Sequence, residues 1–388
     1  MAEKGVLIIV PTYSPNIGGV ESHLGDLVQE LDRRDYRVYV HTYSPITTPG
    51  AKWLPREKFN NVEIRRYGWF GKNLLHKIEK IPLLAFLYIT PYLFLRVLWF
   101  MLLNQRKIDV IHAHGFNSAF IGMILKWLFK KRFFISIHAI YEMSPESKTA
   151  HLTRKILMSA DGISTLSTAS FEELVSFGIP RERLRIHRNW ADLERFTPVE
   201  DKGELRKRLG VPDKFSVICI ARLTEIKGVR EYVEVASRLP QITFLLVGNG
   251  PLEAFVKEQS GKIENLIFLG SVDYRQLHLY YNLGDIFCIP SQYEEGYGRV
   301  AMEAVACGSP VVGSNKGGIP EAVNEEVSLL VEPTVDNLEK AILKVHNDQP
   351  FLDRLKSNCK DYAQEHFSRR NIEIILQGYE EQTGTFES

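Results

Sequence analysis

Cysteine is scarce: the 388 residues contain four, Cys219, Cys288, Cys307 and Cys359, with no C-x-x-C pair and no histidine at zinc spacing. A disulfide scaffold and a structural zinc site are therefore excluded, and the thiols read as buried side chains of a reducing compartment. Net charge is lacking as well. The 48 basic and 47 acidic residues nearly cancel, so no global field favours nucleic acid, and no nucleic-acid partner is expected. Low-complexity segments and short-period repeats are missing. The apolar run at 6–10 is too short for a signal peptide and ends at Pro11, so a cytoplasmic location is expected.

One long apolar run is present. From Ile81 to Leu103 the only charge is Arg96, and the length approaches the ~20 residues that span a bilayer. Pro82 and Pro91 interrupt it, and Lys72, Lys77, Lys80, Arg106 and Lys107 flank it. A second patch, Leu125-Lys-Trp-Leu-Phe-Lys-Lys-Arg-Phe-Phe134, mixes aromatics with cations. Three readings stay open: a buried crossover helix, peripheral contact with an anionic membrane, and a true span.

The length exceeds what one core usually fills, so two domains of roughly 190 residues are expected. In the first half, strand patterns at 6–10, 37–42, 62–67, 110–113, 133–138 and 162–166 alternate with helical patterns at 20–33, 74–103, 117–129, 145–159 and 169–177. The second half repeats the rhythm, with strands at 216–221, 243–247, 266–269, 286–289, 310–313 and 329–331 and helices starting near Val229, Pro251, Tyr274, Arg299 and Pro320. Such alternation of apolar runs and helices implies parallel sheets covered on both faces, an α/β chain of two doubly wound domains. Phe196-Thr-Pro198 and the charged Glu200-Asp-Lys-Gly-Glu204 break the rhythm, so the domains are placed at 1–192 and 193–370. Ligands bind at the carboxyl ends of such strands, so two facing domains would hold a site in the cleft between them.

Three constellations sit at strand ends. The loop Pro11-Thr-Tyr-Ser-Pro-Asn-Ile-Gly-Gly-Val-Glu-Ser-His23 opens a helix with Gly18 and Gly19, where backbone amides approach an anion or where glycine merely serves the turn. In Ala221-Arg-Leu-Thr-Glu-Ile-Lys-Gly228, Arg222 and Lys227 stand between a strand and a helix, which suits a pyrophosphate or marks a solvated pair. The stretch Tyr293-Glu-Glu-Gly-Tyr-Gly-Arg-Val-Ala-Met-Glu303 predicts a helix beginning near Gly298 and ending near Cys307. Val300, Ala301, Ala304 and Cys307 take its sheet-facing side, leaving Glu303 off that face about 7 Å from the helix start, leaning back toward the strand ends. Glu303 is then an acceptor for a diol such as a ribose, or a partner of the helix dipole.

The stretch Glu295-Gly-Tyr-Gly-Arg-Val-Ala-Met-Glu303, continuing through Ala-Val-Ala-Cys-Gly-Ser-Pro-Val-Val-Gly-Ser-Asn-Lys-Gly-Gly-Ile-Pro-Glu321, resembles the signature of the family 4 retaining glycosyltransferases of the GT-B fold. Glu295 and Glu303, not Glu294, meet its spacing of two acids with seven residues between them. The Gly18-Gly19 loop, Asp109-Val-Ile-His-Ala-His114, the strand ending at His138 and the Arg222 and Lys227 pair follow in the family's order. Asn189-Trp-Ala-Asp192 departs from the family's Asn-Gly-Val-Asp, and Trp190 would alter the cleft's shape.

The resemblance implies transfer of a hexose from a nucleoside diphosphate sugar, a UDP-sugar slightly ahead of a GDP-sugar, to an acceptor hydroxyl. It implies a last helix at about 371–388 that packs back on the first domain. Arg222 and Lys227 would neutralise the leaving diphosphate. Glu295 would orient the sugar, Glu303 would hold the ribose, and Gly296, Tyr297, Gly298, Arg299 and Val300 would line the donor at the helix start. Gly18 and Gly19 would admit the donor phosphate, and His138 would position the transferring sugar. No cofactor and no metal are expected: the chain has no Asp-x-Asp motif, and two cations with helix amides supply the charge a divalent ion supplies elsewhere. The region 72–134 points to a lipid-linked acceptor or a soluble saccharide, with the protein peripheral on the cytoplasmic face of a membrane in the first case. The competing readings are a sugar-nucleotide epimerase, a phosphorylase and a non-catalytic partner protein that binds a sugar nucleotide.

Overall fold

A computed structural model describes residues 4–380 apart from 17, 49, 72–73, 75–77, 79–80, 139, 141–143 and 145. Ile17 of the glycine loop, the flanking Lys72, Lys77 and Lys80, the helix start expected at Pro145 and the expected helical residues 381–388 lie outside the described residues. The chain divides into two compact units, one ending at His187 and resuming at Arg370, the other Arg188–Arg369.

The first unit is built on β1 (Gly5–Ile9), β2 (Arg37–Tyr43), β3 (Arg56–Phe59), β4 (Val62–Tyr67), β5 (Val110–His114), β6 (Arg132–Ile137), β7 (Gly162–Thr165) and β8 (Leu184–Ile186). They form one sheet in the order β3-β4-β2-β1-β5-β6-β7-β8. All its pairings are parallel except β3 with β4. Two strands escaped the periodicity argument. Arg56-Glu-Lys-Phe59 is an edge strand whose charges suit solvent, and Leu184–Ile186 is too short to show an alternation.

The second unit carries β9 (Ser216–Ile220), β10 (Thr243–Val247), β11 (Leu266–Gly270), β12 (Ile286–Ile289), β13 (Val311–Ser314) and β14 (Ser328–Val331), all parallel, in the order β11-β10-β9-β12-β13-β14. Central strands such as Ser-Val-Ile-Cys-Ile and Thr-Phe-Leu-Leu-Val are buried throughout, because helices cover both faces of the sheet. All four cysteines are free and buried in this unit. Trp190, expected to alter the cleft's shape, has 2% of its surface exposed, beside the Ala191 amide that donates to Phe367 O.

The final helix, Glu373–Glu380, packs on the first unit. The Tyr379 hydroxyl bonds His112 Nδ1 at 2.7 Å, Glu373 pairs with Arg34 at 2.7 Å, and Gly378 lies flat against the Phe134 ring. The apolar run forms the helix Pro82–Asn104, which is neither wholly buried nor wholly exposed. Tyr88, Ile89, Leu93, Val97, Phe100 and Met101 enter the core, while Leu84, Leu87, Leu95, Trp99 and Leu102 stay in water. It is the one helix among the described residues long and apolar enough, by length and composition, to cross a membrane.

Candidate active site

In the second unit the order of strands reverses between β9 and β12, so the loops leaving these two neighbours diverge at their carboxyl ends. Such a switch point is where doubly wound sheets hold ligands. Arg222 and Lys227 leave β9, and Glu295 leaves β12, so the fold brings them to one place.

Gly228 makes the approach close. Its φ of +69° is left-handed, and a Cβ there would lie 1.9 Å from Pro290 O at the end of β12. Lys227 Nζ consequently reaches Glu295 Oε1 at 2.6 Å and the Tyr293 hydroxyl at 2.9 Å. Glu295 also accepts from Ser291 Oγ at 2.6 Å and from the Tyr293 hydroxyl at 2.7 Å. Only 8% of Glu295 is exposed, so three donors hold a nearly buried carboxylate in one orientation. Burial, then the neighbouring Glu295, pushes the Tyr293 phenol up, so it stays protonated and keeps donating. The Arg222 side chain is exposed at the mouth of this group, with no hydrogen-bond or ion-pair partner among the described residues.

Glu303 belongs to a second cluster. It lies on the helix Arg299–Ala306, 3% exposed, and accepts from Arg299 Nε at 2.8 Å and from the Tyr281 hydroxyl at 2.8 Å. Tyr274 receives a bond from Arg299 at 3.0 Å and sits 3.5 Å from Glu303. Arg299, expected to line the donor, is thus turned into the unit as the carboxylate's cation. Tyr297 is also buried, so at 296–300 the donor would meet backbone rather than the phenol. Gly296 and Val300 remain half exposed beside the helix start, and Gly298 precedes its first turn, where the Ala301 amide donates to Gly298 O at 2.8 Å.

Glu294 is exposed but engaged: it accepts from the Gly317 amide. The loop carrying Gly317 and Gly318 packs so tightly that a Cβ on Gly317 would lie 2.3 Å from Glu295 O, and the Gly318 amide donates to that oxygen at 2.7 Å. This second loop braces Glu295 from behind. Spacing alone missed the partners Ser291, Tyr293, Tyr274 and Tyr281; the adjacent glycines 317 and 318 were the signal for the brace.

The first unit has its own reversal, between β1 and β5. Gly18 and Gly19 follow β1 and start the helix Gly19–Arg33; a Cβ on Gly19 would meet nothing within 4 Å, so open space lies above it. His138, just past β6, has its Nε2 2.9 Å from His114 Nδ1, and its ring centroid is 5.3 Å from that of His23. His112 is occupied internally by Tyr379 and by Ser136 Oγ at 2.8 Å. Burial pushes His138 down to about 4, so its imidazole is neutral at pH 7. Among the described residues no group of three or more His, Cys, Asp or Glu is arranged to hold a metal ion.

Comparison with known proteins matches a family model to each part of the chain. The family model described as "Glycosyltransferase Family 4" matches residues 17–195, and that described as "Glycosyl transferases group 1" matches 201–366. The chain is 26% identical over 366 residues to the GDP-mannose-dependent monoacylated alpha-(1-6)-phosphatidylinositol monomannoside mannosyltransferase of Corynebacterium glutamicum, covering 89% of this chain and 90% of that protein. It is 26% identical over 336 residues to the GDP-mannose-dependent alpha-(1-6)-phosphatidylinositol monomannoside mannosyltransferase of Mycolicibacterium smegmatis, covering 82% of this chain and 82% of that one. In fold it resembles Anabaena HepE, solved in complex with UDP and glucose, with a TM-score of 0.75 at 23% identity over 96% of this chain and 97% of that one.

The class is an enzyme, a glycosyltransferase of the GT-B fold. Within it the chain belongs to glycosyltransferase family 4. The epimerase, phosphorylase and non-catalytic readings give way to a transferase.

Proposed function

We propose that the chain moves a hexose-type sugar, with retention at the anomeric carbon and without a divalent metal, from a nucleoside diphosphate sugar to the hydroxyl of a lipid-linked acceptor at the cytoplasmic face of a membrane. The observation that carries this reading is Lys227 held on buried Glu295, beside exposed Arg222, at the switch point of the second sheet. Two cations at one strand end suit the diphosphate that departs, where charge grows as the bond from the anomeric carbon to phosphate oxygen breaks. The acceptor oxygen forms its bond on the same face, and its proton passes to the leaving phosphate.

Glu295, with its orientation fixed by Ser291 and Tyr293, directs a sugar hydroxyl. Backbone of 296, 298 and 300 receives phosphate, and Glu303 offers its remaining lone pairs to the ribose. In the first unit, the space above Gly19 admits phosphate, and neutral His138 bonds the sugar as a positioning group. The lipid acceptor is supported by the names of the phosphatidylinositol-directed relatives and by the water-facing apolar side of the helix Pro82–Asn104.

A thermal-shift panel of UDP- and GDP-sugars, followed by transfer assays on lipid-linked acceptors in detergent, tests this reading. The matching donor raises the melting temperature by mass action and supports transfer. Unchanged transfer in the Arg222→Ala/Lys227→Ala double variant would overturn the diphosphate assignment.

A further inference from the structure

The helix Pro82–Asn104 leaves the carboxyl-end edge of the first sheet after β4 and returns to the amino-end edge before β5. Its 23 residues, at about 1.5 Å each, span about 35 Å. Leu84, Leu87, Leu95, Trp99 and Leu102 recur every three to eight residues on one face, and all are exposed; Trp99 reaches 65%. A water-facing stripe is ordinarily polar, and an apolar one of this length marks a surface that something covers.

The same amino-end edge of the sheet carries a basic cavity, where β6 and β7 begin. The helix Phe116–Phe129 ends there with Trp127 79% exposed, and a cavity of about 830 Å³ opens between Lys126, Trp127, Lys130, Lys131, Arg132 and Asp161. Asp161 is already matched by Lys126 at 2.5 Å, and Arg132 Nε is held by Gly378 O at 3.2 Å. The Lys130 and Lys131 side chains have no hydrogen-bond or ion-pair partner among the described residues, and exposed Arg106 and Lys107 close the same end of the stripe. Arg132 opens β6 and His138 follows its end, so six residues at about 3.3 Å put this cavity about 20 Å from the catalytic edge. It is a second site, separate from donor and acceptor hydroxyl.

We propose that the cavity binds the headgroup of an anionic phospholipid in a bilayer on which the apolar stripe lies. Charge complementarity selects this occupant: clustered cations beside exposed tryptophan and leucine match the negative headgroup layer above acyl chains. The stripe then holds the first unit along the membrane, with its Leu84 and Leu87 end at the edge that bears His114 and His138. The proposal rests on the lipid-acceptor reading for the purpose of this docking, and on the cations and the stripe for its geometry.

The test is sedimentation of the full chain at low salt with phosphatidylcholine vesicles, with or without 30 mol% phosphatidylglycerol. Lys130→Asn/Lys131→Gln is the variant of choice, because Lys130 has a φ of +53° that asparagine tolerates. Partitioning onto the anionic vesicles is expected to fall about thirty-fold, roughly fivefold for each cation removed, with the melting temperature unchanged. Trp127→Ala is expected to weaken binding to both vesicles. Equal partitioning of wild type and double variant would overturn the proposal, as would displacement of the protein from vesicles by millimolar glycerol phosphate, which would make the cavity a site for a soluble phosphate. A dimer abolished by Trp99→Gln would also overturn it, by making the stripe an interface between copies. Transfer to a lipid acceptor in detergent separates the two readings: the double variant keeps it if only docking is lost, whereas its absence from the wild type defeats the acceptor reading whatever the vesicles show.

Discussion

Lys227 Nζ lies 2.6 Å from Glu295 Oε1, so the two residues expected to serve different parts of the donor form one ion pair. The pair joins the loops after β9 and β12 and pre-sets both groups at the switch point. Entering phosphate would share the ammonium that the carboxylate now holds.

Lys227 therefore has a structural part that Arg222 lacks. Lys227→Ala is expected to lower kcat about 10²–10³-fold and also to reduce stability by about 1–3 kcal/mol, since Glu295 keeps its burial but loses its cation. Arg222→Ala is expected to lose comparable activity with stability changed by less than about 0.5 kcal/mol. Urea unfolding beside steady-state kinetics checks the split; equal stability losses would contradict it.

Glu303 is subject to a similar test. Its carboxylate neutralises Arg299, and both side chains are almost wholly buried. Glu303→Ala strands that guanidinium, so a loss of about 3–5 kcal/mol is expected, while Glu303→Gln keeps one acceptor oxygen for Arg299 Nε, turns an amide donor toward the Tyr281 hydroxyl, and loses less. Donor affinity, measured by calorimetry on the Gln variant, then reports the ribose contact without the collapse. A stable Glu303→Ala protein would show that Arg299 finds another partner.

Much of this arrangement was legible in the sequence, and the reasons differ by residue. Apolar runs such as Val217 to Ile220 announce buried parallel strands, because both of their faces need cover. Glycines 228, 317 and 318 mark close backbone approaches. The pairing of Lys227 with Glu295 was not legible, since it depends on strand order, and β9 neighbours β12 only after the sheet reverses. The resemblance implied that Arg299 lines the donor, yet burial beside Glu303 turns its side chain inward. The helix Pro82–Asn104 hid its two faces because both are apolar, so no polar stripe revealed which one meets water.

The last helix is held by a buried contact that a single atom controls. Tyr379→Phe removes the hydroxyl on His112 Nδ1 and is expected to cost about 1–3 kcal/mol. Gly378→Ala places a methyl 2.2 Å from Phe134 Cε2, on a ring with no exposed surface to yield into, so the helix must lift. Hydrogen exchange over 373–380 should rise more in Gly378→Ala than in Tyr379→Phe. Equal protection in both variants and wild type would contradict the packing.

Acid should destabilise the first unit through its histidines. Burial pushes His41 and His187 down to about 3 and His138 to about 4, and holds His112 and His114 well below the usual range. The unfolded imidazoles take protons near 6.5, so between that value and about 4 the unfolded chain binds more protons than the folded one. Stability is then fully present above pH 6.5 and falls as the pH drops, each such histidine contributing about 1.4 kcal/mol per pH unit. His187 isolates the effect, because neither ring nitrogen has a hydrogen-bond partner among the described residues. In His187→Leu the slope of unfolding free energy between pH 6 and 5 is expected to flatten by about 1 kcal/mol per unit relative to wild type, with no lost hydrogen bond to confuse the comparison. An unchanged slope would mean that His187 takes its proton as readily in the folded protein as in the unfolded one.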